Sequence, residues 1–218
     1  MKVDDELIEE TKSTKFLGIH LDRELTWNNH IDSVCSRVNS GIYALRNLAQ
    51  FCSLEVLRTA YYGLIHTHLE YGIRLWGSCS KYKLERVFRL QKRAVRTILK
   101  LQARESYRGA FRELGLLTLP CLYILEVALY CRSKCALTQG RDVHSYETRG
   151  RDNYRTQQHR SAAFERLPSQ VGVKIINGLP KCIKNQNLNL FKTRLKHLLV
   201  SSAFYTVDEF FQCRWDNQ

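Results

Sequence analysis

Residues 83–104 run without a glycine or a proline, and this stretch constrains the fold more than any other. Ala, Leu, Lys, Gln and Arg are good helix formers, so the stretch reads as an α-helix. Set at about 100° per residue, Arg86, Arg89, Arg93, Arg96, Lys100 and Arg104 share a sector of roughly 80°. Leu84, Val87, Phe88, Val95 and Ile98 lie opposite. One face enters a core; the other carries a row of cations with no acid among the six. Such a row is either an ordinary solvated face or a track for a line of phosphates. Six cations on phosphates imply a loss of affinity on the order of 10³-fold between 50 and 200 mM salt.

The rest of the chain can supply that core. Its 218 residues suffice for one large domain or a domain with an appendage, and a hydrophobic content of 44% is that of a globular protein. A net charge of +13 favours a polyanionic partner, nucleic acid first and an acidic membrane surface second. No run of 18 apolar residues offers a membrane span. The eight cysteines are scattered, and the acidic opening around Asp4-Asp5 is not that of a signal peptide. Buried free thiols in a reducing, intracellular compartment, nucleus or cytoplasm, are expected.

The periodicities predict a mainly α chain: a helical bundle with a short N-terminal β-hairpin and an irregular linker before C-terminal helices. The hairpin occupies residues 1–27, with Gly18 at a bulge or a close backbone approach. Helical domain 28–138 begins with a helix over 28–50, in which Gly41 signals close packing, and a second over 54–68 capped by Ser53. After the basic helix come a short one at 106–114, closed by Gly115, and an apolar one from Pro120, at its first position, to Cys135. Periodicity vanishes from Gln139 to Ser161, so 139–163 reads as a linker or surface excursion. A small helical region, 164–218, follows the turn signal Asn177-Gly178-Leu179-Pro180 and includes an amphipathic helix built on Phe191, Leu195, Leu198 and Leu199.

Several of these segments resemble a known family. Lys15-Phe16-Leu17-Gly18-Ile19-His20-Leu21-Asp22, followed by Leu25-Thr26-Trp27-Asn28-Asn29-His30-Ile31, resembles the segment just after the catalytic core of non-LTR retrotransposon reverse transcriptases, jockey-like elements above all. Tyr71 to Gly77, Arg89 to Arg96, Leu117 to Pro120, Asn177 to Pro180, Phe191 to Lys196 and Phe204 to Phe210 resemble later landmarks of those proteins, in the same order. The resemblance implies that the hairpin steadies a primer end, with Lys15 and Gly18 at the nucleic acid. It also implies that the following helices form a polymerase thumb gripping an RNA–DNA hybrid. Arg86, Arg89, Lys92, Arg93, Arg96, Lys100 and Arg104 would then lie along that duplex.

Polymerase chemistry needs carboxylates that hold two divalent metals. The resemblance places these, and the Mg²⁺ of the full-length enzyme, in a palm upstream of the hairpin. Asp4-Asp5 is preceded by Lys2-Val3 instead of an aromatic and a small residue, and it stands too close to Lys15. The expectation is a non-catalytic fragment, without a cofactor of its own, that has the palm and fingers of such a polymerase as a further partner.

Other chemistry is weaker. Cys131 and Cys135 with His144 and His159 match no tight zinc spacing and read as core thiols. His66 and His68, two apart, point to different helix faces. Trp27, Trp76 and Trp215 could stack on bases but fit core packing better. The competing function is a protein- or membrane-interaction module that uses the basic amphipathic helix on a partner.

Overall fold

The computed structural model describes residues 2–3, 6–7, 11–102, 105–143, 145–147, 150–213 and 215. Two short antiparallel ladders open it: β1 (Lys2–Val3) with β2 (Glu6–Leu7), and β3 (Ser13–Phe16) with β4 (Ile19–Asp22). The second hairpin turns on Leu17 (φ 46°) and Gly18 (φ 79°), two consecutive left-handed residues that match the twist of the paired strands. Its register pairs Phe16 with Ile19 and Ser13 with Asp22, without the extra residue of a bulge. Nor does another backbone come close at Gly18: a Cβ there would lie 3.7 Å from the Tyr71 ring, an ordinary contact, and glycine suits the position because of its positive φ; the Tyr71 hydroxyl donates to the Leu17 carbonyl.

Asp22 ends the hairpin and starts the helical body. Its carboxylate accepts from the Thr26 and Trp27 backbone N–H groups at 2.7 and 2.8 Å. Partial burial pulls its pKa upward, but those backbone donors outweigh it and hold the carboxyl below the usual range. Helix α1 (Asn28–Leu48) follows, then α2 (Leu54–Tyr61), a π-helical turn over Tyr62–His66, α3 (Thr67–Glu70) and α4 (Ile73–Trp76). Gly41 lets α1 meet this second rod, since a Cβ would fall 2.6 Å from the Leu64 carbonyl oxygen and 2.8 Å from Ile65 Cγ1.

Next come α5 (Lys81–Leu99), α6 (Tyr107–Glu113) and α7 (Leu119–Lys134). Helix α7 is buried on nearly every side, as its unbroken apolar character predicts. Its N-cap is Thr118, whose hydroxyl accepts from the Cys121 N–H, so Pro120 is the second helical residue and not the first. Helices α8 (Ala162–Glu165), α9 (Pro168–Asn177), α10 (Lys181–Lys184), α11 (Leu188–Ser202) and α12 (Val207–Gln212) complete the fold. Helices α9, α11 and α12 pack on α7, and one hydrophobic cluster runs from Trp27 through Ile124 to Phe210. Gly172 of α9 fits against Cys131 of α7, where a Cβ would sit 2.5 Å from the cysteine Cβ.

The aperiodic segment after Gln139 does not float free. Gln139 forms an isolated antiparallel bridge with Tyr154. Asn177 brackets the Tyr154 backbone, accepting its N–H at 2.9 Å and donating to its carbonyl at 2.7 Å. Buried Lys184 donates to the Asp152 carbonyl and to Asn153 Oδ1. Backbone polar groups that find no helix or sheet partner are satisfied here by side chains of α9 and α10.

All eight cysteines are free; Cys121 and Cys131 are fully buried, whereas Cys182 is exposed and not a core thiol. Trp27 and Trp76 are core residues. Among the described residues no helix is long and apolar enough to cross a membrane.

Candidate nucleic-acid interface

Helix α5 is two-sided because its apolar residues recur at helical spacing. Val87, Phe88, Ala94, Val95 and Ile98 are each at most 3% exposed, and full burial of each of these side chains except Ala94 is worth about 1.5–3 kcal/mol. Gln91 lies within that stripe and is buried too. Its amide donates to the Tyr61 hydroxyl and the Leu117 carbonyl, both at 2.9 Å, and accepts from the Leu119 N–H at 2.8 Å. One side chain thus fixes α5 against α2 and the start of α7.

The outer face differs from the sequence expectation at its end. The rod stops at Leu99, and Lys100 takes the left-handed conformation (φ 53°), so that Leu101 folds back against the core and its N–H reaches the Arg96 carbonyl. Intrinsic propensity favoured continuation, but burying Leu101 outweighs it. Lys100 is therefore an exposed C-cap residue beyond the rod, and Arg104 lies outside the described residues.

The cations on the rod are not equivalent. Arg86 is tied to Asp32 of α1 at 2.7 Å, and that hydrogen bond raises the guanidinium's pKa. Glu85, one position outside the cationic sector, lies 3.8 Å from Arg89 and 3.4 Å from Lys92. Lys92 also sits over the Phe88 ring at 4.5 Å and the Tyr205 ring at 5.4 Å. Arg96 lies over Tyr107 at 5.1 Å, with its Nε buried and unpartnered. Arg93 is exposed and has no ion-pair partner among the described residues. Arg86 thus leans toward α1, Lys92 and Arg96 lean toward the opposite flank, and Arg89, Arg93 and Lys100 face solvent. Tyr82, 69% exposed, shares the same sector at the start of the helix.

The hairpin residues form a second group. Lys15 is exposed, opposite His20 in the ladder, and Gly18 occupies the turn. No hydrogen bond or ion pair among the described residues joins either to the α5 row. Lys83 Nζ, however, donates to the Thr26 carbonyl just after the hairpin, so the base of the hairpin and the first turn of α5 are fixed side by side.

Sequence periodicity located the row but missed what quenches it. Glu85, at i−4 from Arg89, was visible in the sequence; Asp32, Tyr107 and Tyr205 come from distant segments and were not. Among the described residues no group of three or more His, Cys, Asp or Glu could hold a metal ion, and Asp4, Asp5 and His144 lie outside them. The Cys131 thiol donates weakly to the Ser169 carbonyl, and His66 Nδ1 lies 3.5 Å from Glu70.

No family model and no solved structure matches this chain. Two curated proteins of Drosophila melanogaster do. A stretch of 95 residues is 30% identical to "Probable RNA-directed DNA polymerase from transposon BS", and one of 94 residues is 26% identical to "Probable RNA-directed DNA polymerase from transposon X-element". Each alignment takes in 42% of this chain and 10% of the relative. The chain is related over that stretch to RNA-directed DNA polymerases of transposons, and it spans about a tenth of the length of the relatives it matches.

Proposed function

We propose that this chain is the thumb and downstream part of a non-LTR, jockey-like retrotransposon reverse transcriptase, and that it grips the backbone of an RNA–DNA hybrid along α5. The observation that carries the reading is the outward ridge of Arg89, Arg93 and Lys100 on a chain of net charge +13, with relatives that are RNA-directed DNA polymerases. Cations held on a buried rod at 1.5 Å rise per residue meet successive phosphates without reading base sequence. Lys15 and the Gly18 turn supply a second contact near the base of that rod. The competing reading, a partner or membrane bound through the apolar side of α5, lacks a surface, because that side is buried against α1, α2, α6 and α7.

The test is fluorescence anisotropy with a labelled RNA–DNA hybrid, comparing the parent chain with the Arg89→Glu, Arg93→Glu double variant. Both residues are solvent-facing, so circular dichroism should be unchanged while affinity collapses. Equal affinity of the two proteins would reject α5 as the contact.

A further inference from the structure

Behind the hairpin turn, on the side of α1 away from α5, lies a cavity of about 340 Å³ lined by Gly18, His30, Ser33, Arg37, His68 and Tyr71, among others. Its chemistry is one-sided. None of its lining residues is acidic. Arg37 is exposed and has no ion-pair partner among the described residues, and the Ser33 hydroxyl makes no hydrogen bond there. His30 is the anomaly: it is 4% exposed, and neither ring nitrogen has a hydrogen-bond partner. Its ring is wedged among His20, Trp27 and Trp76, with centroids 6.4, 6.2 and 5.9 Å away. A buried polar group without a partner is costly, and His30 puts such a group directly behind a cavity wall that otherwise carries Arg37, Ser33 and His68.

We infer that this cavity is a binding site for a phosphate-type oxyanion, held by Arg37, Ser33 and His68 with His30 at its wall. Arg37 supplies the fixed positive charge and a forked donor set suited to tetrahedral oxygens. Ser33 and the His68 imidazole supply further donors, while the His30 nitrogens stay buried behind the wall. The Tyr71 hydroxyl is committed to Leu17 and holds the hairpin turn as the outer edge of the cavity. The groups facing His30 reinforce the sign: His20 from β4, Arg37 from α1 and, across the cavity, His68 from α3. Burial first, then His20 and Arg37, drive the pKa of His30 down to about 4, and burial and Arg37 lower that of His68. An anion among these groups opposes the Coulombic part of that shift, so its binding raises the His30 pKa. The site is separate from the α5 ridge and stands or falls independently of it.

The experiment uses the full chain labelled with ¹⁵N. Histidine ring-nitrogen shifts are followed while inorganic phosphate replaces chloride at constant ionic strength. Saturable shifts of His30 and His68, with a rise in the His30 pKa, are expected. Arg37→Ala, a surface change that leaves the fold intact, should weaken phosphate binding roughly 10- to 100-fold, the scale of one lost charge-assisted hydrogen bond. A 5′-phosphorylated oligonucleotide and its unphosphorylated twin identify the source. A response to the phosphorylated one alone assigns a terminal phosphate, to both a backbone phosphate, and to neither, with inorganic phosphate still binding, the free ion. The Arg89→Glu, Arg93→Glu variant should respond to phosphate like the parent. Histidine shifts that do not distinguish phosphate from chloride, or undiminished binding by Arg37→Ala, would overturn the inference.

Discussion

Removing Asp32 should make this protein a better ligand for nucleic acid, and the size of the change can be worked out from the ridge. Arg86 spends its guanidinium on Asp32 at 2.7 Å, Lys92 is held by Glu85 and two rings, and Arg96 lies on Tyr107. Arg93 and Lys100 remain unpaired, and Arg89, 59% exposed and 3.8 Å from Glu85, is held only loosely, so about three phosphates are neutralised. The expected slope of log affinity against log salt is then about −2.7, a loss of roughly 40-fold from 50 to 200 mM. That is well short of the 10³-fold that six aligned cations would give. Asp32→Ala releases Arg86 for a fourth contact and steepens the slope to about −3.6, or roughly 150-fold over the same interval. The pair is surface-exposed and adds little to folding, so the melting temperature should scarcely move. Anisotropy titrations at four salt concentrations measure both slopes. Glu55→Ala, an exposed acid on α2, controls for net charge alone. Parallel slopes for Asp32→Ala and the parent, or the same steepening in Glu55→Ala, would refute the argument.

Three predictions concern stability. Gln91→Leu strips hydrogen bonds from Tyr61, Leu117 and Leu119 in the core and should cost about 3 kcal/mol or more in urea unfolding with an unchanged m-value. Gly41→Ala drives a methyl against the Leu64 carbonyl and should destabilise by about 1–3 kcal/mol, whereas Gly63→Ala meets nothing within 4 Å and should be neutral or stabilising by up to about 1 kcal/mol. Equal melting temperatures for those two variants would contradict the packing described at Gly41. Acid should weaken the fold in two stages in chloride buffers. His30, near 4 when folded and about 6.5 when unfolded, contributes stability that is complete above pH 6.5 and drains away as pH falls toward 4. Asp22, depressed when folded, contributes stability lost as pH falls further, through its own lowered value. His30→Phe should flatten the first stage while leaving the second.

Most of the helical framework was legible because burial imposes a period. The stripe Val87, Phe88, Val95, Ile98 marked α5, the apolar run after Pro120 marked α7, and Gly41 marked a close approach that the structure contains. What failed did so for local reasons with distant causes. The basic helix ends five residues early because Leu101 has a core to reach, and nothing in the local sequence registers that core. The segment after Gln139 is the irregular, mostly exposed excursion its lost periodicity predicts, but the ties that hold it, from Asn177 and Lys184, come from 23 and 32 residues downstream and were not legible. Gln91 read as one more polar residue, although it spans two other segments.

Sequence alone determined which residues could be cationic, where rods would form and which side of each would be dry, since helical period and hydrophobic burial are properties of neighbours in the chain. Only the tertiary structure decided which charges remain available. Asp32 reaches Arg86 and the Tyr205 ring reaches Lys92 across long separations in sequence, Tyr107 reaches Arg96 across the turn after α5, and Coulombic and cation–π energies depend on those distances in space. The same holds at His30. Its isolation from any hydrogen-bond partner is completed by Trp76 and by His20 of the hairpin, which close over it beside its near neighbour Trp27.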